Sequence, residues 1–352
     1  MTLVHTPAWL GKAARRLATP LLLLTAAGCS FHPIYTPTGD ILIGYSEAEA
    51  TPYVMQMSDP GMACSLGEGV DPLVYSFSSV TSTPYKTGSL LMLLAANCTE
   101  AEAFEAELAY LRADYAGDVP AAKDAREQAK RLNGLTAKRR YRAFQRAMAG
   151  YEYVPGREGT ECPFFLTDQD EVTFLTGVLT GLQAIVNDAN SGAIAGVPKN
   201  IAPEAERAVQ CVDNEKWGGL PNAIRGMVWL LIPDTRPDMS PSPWDVLENS
   251  SELGVKAGFR ASMALEAVAA ETFGRDEVLA DVIKRFADAD DVIEVSENYR
   301  LLDEVARSVI QFSSDKKWIA AYGYRTPAGR FGSLTDGSDE APGEVMSLDG
   351  LL

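Results

Sequence analysis

Histidine is nearly absent from this chain: of 352 residues, only His5 and His32 carry an imidazole. A mechanism that needs a histidine general base in a packed pocket has almost nowhere to place one. Bases are scarce as well, 31 Lys and Arg against 48 Asp and Glu, so the net charge is −17. Such a surface repels phosphate backbones and excludes a general nucleic-acid binder. No apolar run approaches the roughly 20 residues that span a bilayer. There is no Walker A loop, Gly-x-Ser-x-Gly elbow, His-Glu-x-x-His or dinucleotide fingerprint. The acidic runs at 288–291 and 336–340 lack the glycine and closing glutamate of a calcium loop, and read as solvated loops. The sequence therefore assigns no catalytic residue, no metal ligand and no cofactor.

What is present begins with an address. Residues 1–28 hold three bases, Lys12, Arg15 and Arg16, and no acid. A short apolar run follows over 17–27, interrupted by Pro20. It has the length of a signal-peptide core. The run ends Leu24-Thr25-Ala26-Ala27-Gly28-Cys29. Small residues directly before a cysteine resemble the lipobox of bacterial lipoproteins, although Ala26 stands where leucine is commoner. The alternative is an ordinary secretory signal beside an unrelated cysteine. The resemblance implies cleavage after Gly28 and acylation of Cys29, so that the membrane is met through a lipid anchor. Ser30, rather than aspartate, implies sorting to the outer membrane, with the chain facing the periplasm. Loss of three bases and no acid takes the charge from −17 to −20.

Four cysteines then remain, an even number in a chain that reads as exported, which permits disulfides. Helical hairpins bring the start of one helix beside the end of the next. That predicts Cys64 with Cys98, around helices at 60–80 and 89–96, and Cys162 with Cys211, around helices at 169–188 and 203–211. A metal site is the rival, but there is no CxxC spacing and no usable histidine.

Helix signals dominate beyond residue 58. Residues 29–58 read as a linker with a short strand at 41–45. Thr99 with Glu102 forms a capping box, ahead of an apolar stripe of Phe104, Leu108, Leu111 and Tyr115. The next helix reads to about 148, with a break at Asn133-Gly134. Thr167 caps the most apolar helix, where Val172, Leu175, Leu179, Leu182 and Val186 repeat by three and four. Gly177 and Gly181 within it, like Gly254 and Gly258 later, suit close helix packing. Four prolines make 233–243 a connector. A long helix from Pro243, two more at 275–287 and 296–312, and a disordered acidic tail complete the pass. The fold class is all-α, an array of antiparallel helical hairpins, either TPR-like and degenerate or an irregular bundle. The boundaries are 1–28 signal, 29–58 linker, 59–232 helical, 233–243 connector, 244–325 helical and 326–352 tail.

One compositional anomaly stands out. Nine bases lie between Lys123 and Arg146, opposed only by Asp124 and Glu127. Lys138, Arg139, Arg140, Arg142 and Arg146 read either as a docking face for an acidic partner or as a solvated face paired with the protein's own acids. Trp217 and Trp244 flank connectors and are candidates for a groove, whereas Trp229 lies within an apolar run and reads as core.

Leu93-Leu94-Ala95-Ala96, Tyr110 and Arg139-Arg140-Tyr141-Arg142-Ala143 resemble segments of the periplasmic T-component lipoproteins of TRAP transporters. The resemblance implies a helical scaffold with a transporter component as protein partner, helping to pass small organic solutes. The function expected is therefore a non-enzymatic accessory or scaffold of transport or envelope assembly. The alternative is a periplasmic module that binds a small ligand or lipid. A carboxylate-only cell-wall enzyme is the third, and the Glu-Ser dipeptide of lytic transglycosylases does not occur here. The lipobox generates a direct test. Wild-type protein should incorporate a labelled fatty acid, and Cys29→Ser should not and should be released as soluble protein. A wild type that takes up no label would refute the anchor.

Overall fold

The computed structural model describes residues 31–155 and 161–337, and every regular element in that range is a helix. Cys29 and the signal segment lie outside the described residues. The chain runs α1 (Tyr35–Tyr45), a π turn (Ser46–Ala50), α2 (Thr51–Met55), α3 (Pro60–Ser76), α4 (Tyr85–Tyr115) and α5 (Val119–Gly150). It continues through α6 (Asp168–Ser191), α7 (Ile201–Ala208), α8 (Leu220–Leu231), α9 (Pro243–Ala257), α10 (Ala261–Thr272), α11 (Asp276–Ala289) and α12 (Arg300–Tyr322).

Helices α3 to α6 pack in sequence order, each against the next. Side-chain bonds show that α4 and α5 run antiparallel: Gly88 meets Arg146, Ser89 meets Ala143, Ala95 meets Arg139 and Thr99 meets Thr136. Helices α8 to α12 form a second group, and α12 returns to pack on α4. The array thus closes on itself. One large apolar core reaches from Val54 through Phe174 and Met227 to Leu265 and Leu301, on both sides of the 233–243 connector. A smaller core joins α10, α11 and α12 around Phe286 and Ile310.

Both disulfides form as the hairpin argument expects. Cys64 is joined to Cys98 and Cys162 to Cys211, each with Cα atoms 5.3 Å apart. On the chain-entropy account, loops of this length contribute roughly 3–4 kcal/mol each. Thr167 caps α6 as expected, its hydroxyl accepting from the Asp170 N–H at 3.1 Å. Gly177 and Gly181 bring α6 onto α5: an added Cβ would stand 2.4 Å from the Ala147 Cβ and 2.6 Å from the Phe144 ring.

Several boundaries differ from the sequence expectation, each for a tertiary reason. The 29–58 segment is helical from Tyr35, and the strand expected at 41–45 is the end of α1. Its inner face docks on the chain after α3, with Gly39 against Phe77 and Thr81 and the Thr36 hydroxyl donating to the Val80 carbonyl at 2.8 Å. Thr99 starts no helix. It lies inside the 31-residue α4, where its hydroxyl donates to the Ala96 carbonyl and accepts from Thr136. Asn133-Gly134 breaks nothing either: the Asn133 amide bonds back to the Ala129 carbonyl and α5 runs on. The long helix after Pro243 is instead two, divided at Gly258, whose φ of +80° suits glycine. The disorder expected from 326 is not found over 326–337, and the rest of the tail lies outside the described residues. Phe331 packs edge-on against Phe286 and the Ser333 carbonyl accepts from the Trp318 indole N–H at 2.9 Å.

A buried ion cluster fixes the second group. Arg260 is fully buried and grips Asp303 with two bonds, Nε to Oδ1 at 2.8 Å and Nη2 to Oδ2 at 2.6 Å. Its third bond goes to Asp290 at 2.6 Å, which also accepts from Arg307. Burial pushes the Asp290 carboxyl up, but bonds from Arg307 and Arg260 outweigh it and hold the group below its ordinary value of 3.8. A carboxylate lowered in the fold contributes stability that is complete above the ordinary value and lost as pH falls through the folded one. Urea midpoints should therefore fall below about pH 4 in the wild type. Asp290→Asn should be less stable at neutral pH and show a flatter acid limb. Parallel acid limbs in the two proteins would count against this role.

Candidate functional site

The basic segment of α5 does not present one face. Arg140 and Arg146 are buried, Arg139 is half-buried, and Lys138 and Arg142 are exposed. The buried guanidiniums brace neighbouring helices. Arg146 pairs with Asp71 of α3, donates to the Gly88 carbonyl at 2.7 Å, and stacks 3.7 Å from the centre of the Tyr75 ring. Arg139 bonds Glu68 of α3 at 2.5 Å and the Ala95 carbonyl at 2.6 Å. Pairing with the protein's own acids therefore describes Arg139, Arg140 and Arg146. A docking face that includes Arg140 and Arg146 is corrected by their burial, and only Lys138 and Arg142 of the five stay on the surface.

The expected groove of Trp217 and Trp244 is corrected as well. Trp217 is 1% exposed, packed edge-on against Tyr299 with ring centres 5.1 Å apart. Trp244 is half-buried, edge-on to Phe273 and under the Arg275 guanidinium. Trp229 is core, as expected.

A different site arises where the array closes. Helices α4, α5, α6, α8, α10 and α12 surround a cavity of about 420 Å³, within the size range of small-molecule pockets. Its wall is largely apolar, formed by Leu179, Leu182, Val186, Met227, Leu231, Leu265, Val268 and Val309, with Phe104 and Phe312 stacked 3.8 Å apart beside them. Several of these, including Phe104, Leu179, Val186, Val268 and Val309, are only half-buried. Apolar surface here faces a space that the protein's own side chains leave open.

Polar groups border that wall in two clusters. In the first, Arg140 donates to Glu100 at 2.5 Å and to the Asn187 carbonyl oxygen at 2.7 Å, and the Asn187 amide donates to Asn133 at 3.0 Å. The network ties α4, α5 and α6 at one depth. The Arg140 Nε is buried and has no partner within the described residues. In the second, Lys316 of α12 pairs with Glu271 of α10 and lies 3.6 Å from Glu107 of α4. Ser313 adds a 3.1 Å bond to Glu271. Glu100 and Glu107 stand seven residues apart on α4, so about 10 Å of helix separates the two clusters. The lining holds three carboxylates against two bases, a local excess of one negative charge.

A smaller cavity of about 300 Å³ lies beside the π turn and the start of α6. Lys86 bonds Asp170 at 2.7 Å and sits 4.3 Å over the Tyr151 ring, while the Tyr151 hydroxyl donates to the same carboxylate at 3.0 Å. Burial, with the Asp170 charge adding to it, pushes the Tyr151 hydroxyl well above the ordinary phenol range, so it stays a neutral donor. Sequence reasoning missed both cavities. Their residues come from up to six helices and share no local spacing; the one usable signal was the unusual breadth of the apolar stripe on α6.

No known protein family, curated protein or solved structure matches this chain. The assignment of its site rests on geometry alone.

The split within the basic segment predicts unequal costs. Arg140→Ala should lower stability by about 3–5 kcal/mol, because it strands a buried carboxylate. Arg142→Glu should change it by no more than about 0.5 kcal/mol, as at other exposed positions. Urea melts of the two variants decide, and equal effects would show the bracing role wrong.

Proposed function

We propose that this protein is a lipid-anchored, periplasm-facing binding module that takes a small neutral amphiphile into the cavity enclosed by α4, α5, α6, α8, α10 and α12. The observation that carries this reading is the largely apolar space between six helices, with the Arg140–Glu100–Asn187 network and Lys316 at its border. A ligand carbonyl or hydroxyl group would find hydrogen-bonding partners among polar side chains of that lining, such as Gln183, Asn190 and Lys316. Glu100 already neutralises the guanidinium, and the lining as a whole is one charge negative. An anionic head group would therefore be disfavoured relative to a neutral one of the same length. The apolar wall would hold the ligand's hydrocarbon part, at roughly 25 cal/mol per Å² removed from water. The reading needs no bond-making step, in keeping with the scarcity of histidine.

The resemblance to T-component lipoproteins supports an accessory role, with the ligand passed to or from a transporter. Exposed Lys138 and Arg142, one turn apart on α5, are the two of the five expected docking bases that stay open to an acidic partner.

Titration with the neutral dye N-phenylnaphthylamine tests the site. Wild-type protein should bind it saturably, and a monoacylglycerol should displace it better than the fatty acid of equal length. Val186→Trp, which fills part of the cavity, should weaken binding by about tenfold, or 1.4 kcal/mol, with the fold kept by circular dichroism. Absence of saturable binding in the wild type would refute the proposal, and preference for the fatty acid would refute the charge argument.

A further inference from the structure

The outer face of α1 has no partner among the described residues. Phe31, Ile34, Ile41 and Tyr45 are 69%, 66%, 73% and 60% exposed. At 100° per residue, positions 34, 41 and 45 fall within about 40° of one another on one side of the helix, and Phe31 stands just ahead of it. No charged residue shares that side; Asp40 and Glu47 lie away from it, towards the flanks. The inner face is occupied, because Gly39 and Ser46 are buried and Thr36 bonds the Val80 carbonyl. Ahead of the helix, the His32 Nδ1 accepts from the backbone N–H groups of Ile34 and Tyr35, so the helix begins close to Phe31. Three large, mainly apolar side chains on one helix face, with an exposed phenylalanine just before it, are a cost that a soluble surface seldom carries in one patch.

We propose that this face of α1 lies in the outer layer of the phospholipid bilayer, beside the acyl chains of Cys29. The inference rests on the lipobox reading, which names the occupant. Two residues of chain reach at most about 7 Å, so Phe31 cannot leave the membrane surface once Cys29 is acylated. A face that is apolar, uncharged and carries a tyrosine is suited to the boundary between head groups and chains. The charge of the mature chain argues for zwitterionic rather than anionic lipid, since α1 offers no base to an anionic head group. Apolar contact also predicts that binding is insensitive to salt, unlike docking by charge. The consequence is orientational: the acyl chains alone would leave the body free to swing, whereas an inserted α1 fixes which side of the helical array meets the membrane.

The test places an environment-sensitive dye at Ile41→Cys. Acylation blocks Cys29 and the other four cysteines are paired, so the new thiol is the one labelled. The lipidated protein is reconstituted on phosphatidylcholine vesicles, and the same substitution is made in Cys29→Ser protein. The expected result is a blue shift of the dye on vesicles, quenching by lipids brominated on the acyl chain, and no change between low and high salt. Ile34→Glu with Tyr45→Glu should abolish both the shift and the quenching while the lipidated protein still floats with the vesicles. A dye that stays in water on protein that floats would overturn the proposal and leave the anchor intact. A shift in the Cys29→Ser protein would uphold the proposal even if mass spectrometry finds no acylation in the wild type. A shift without vesicles that depends on protein concentration would overturn it in favour of a second copy covering the face.

Discussion

The guanidinium of Arg140 sets the geometry on which the centre of this molecule depends. It is buried among three helices, bonded to Glu100 on α4 and Asn187 on α6, with Asn133 completing the chain. Taking such a charge out of water is expensive, and the pair is held only if its bonds are well made. That requirement fixes the depth at which α4, α5 and α6 face one another. Apolar packing alone tolerates many nearly equal arrangements. A buried ion pair with directional bonds tolerates few, and the cavity stands beside it because the helices cannot slide together to fill the space.

The same logic explains where the bases of α5 went. A chain of strong negative charge with one basic segment suggests a surface of opposite sign. In the fold, that segment is the third of the four helices α3 to α6, and two of its arginines turn inward to acids that would otherwise be buried alone, Asp71 and Glu100. Several acids and bases of the interior are partners across helices. Arg260 repeats the arrangement in the second group, fully buried between Asp303 and Asp290.

Two surfaces are left without partners inside the protein, and they differ in kind. The cavity is a partly open cleft between helices, largely apolar and bordered by hydrogen-bonding groups, which suits a small molecule. The outer face of α1 is open, apolar and uncharged among the described residues, and Cys29, the candidate lipid site, stands six residues ahead of Tyr35. On the two proposals made above, they would belong to a body held against a membrane with a cleft of its own, as a carrier of amphiphiles would need.

The all-α class and the two disulfides were legible in the sequence because each depends on local order. Period-3.6 apolar stripes mark helices wherever they occur, and antiparallel neighbours joined by short turns bring Cys64 to Cys98 and Cys162 to Cys211. The small-residue run at Cys29 is legible for the same reason, being a contiguous motif. Boundaries were less so: Thr99 and Asn133 carry the side chains of a cap and a break, but neighbours on other helices claimed those side chains first. The linker expected at 29–58 became helix because α3 and the turn after it offer Gly39 and Thr36 a place to dock. What tertiary structure alone decided was which arginines face inward, that Trp217 is core, and that a cavity exists. Those outcomes depend on residues far apart in the chain meeting at one point, and a charge or a ring carries no local mark of the neighbour it will find.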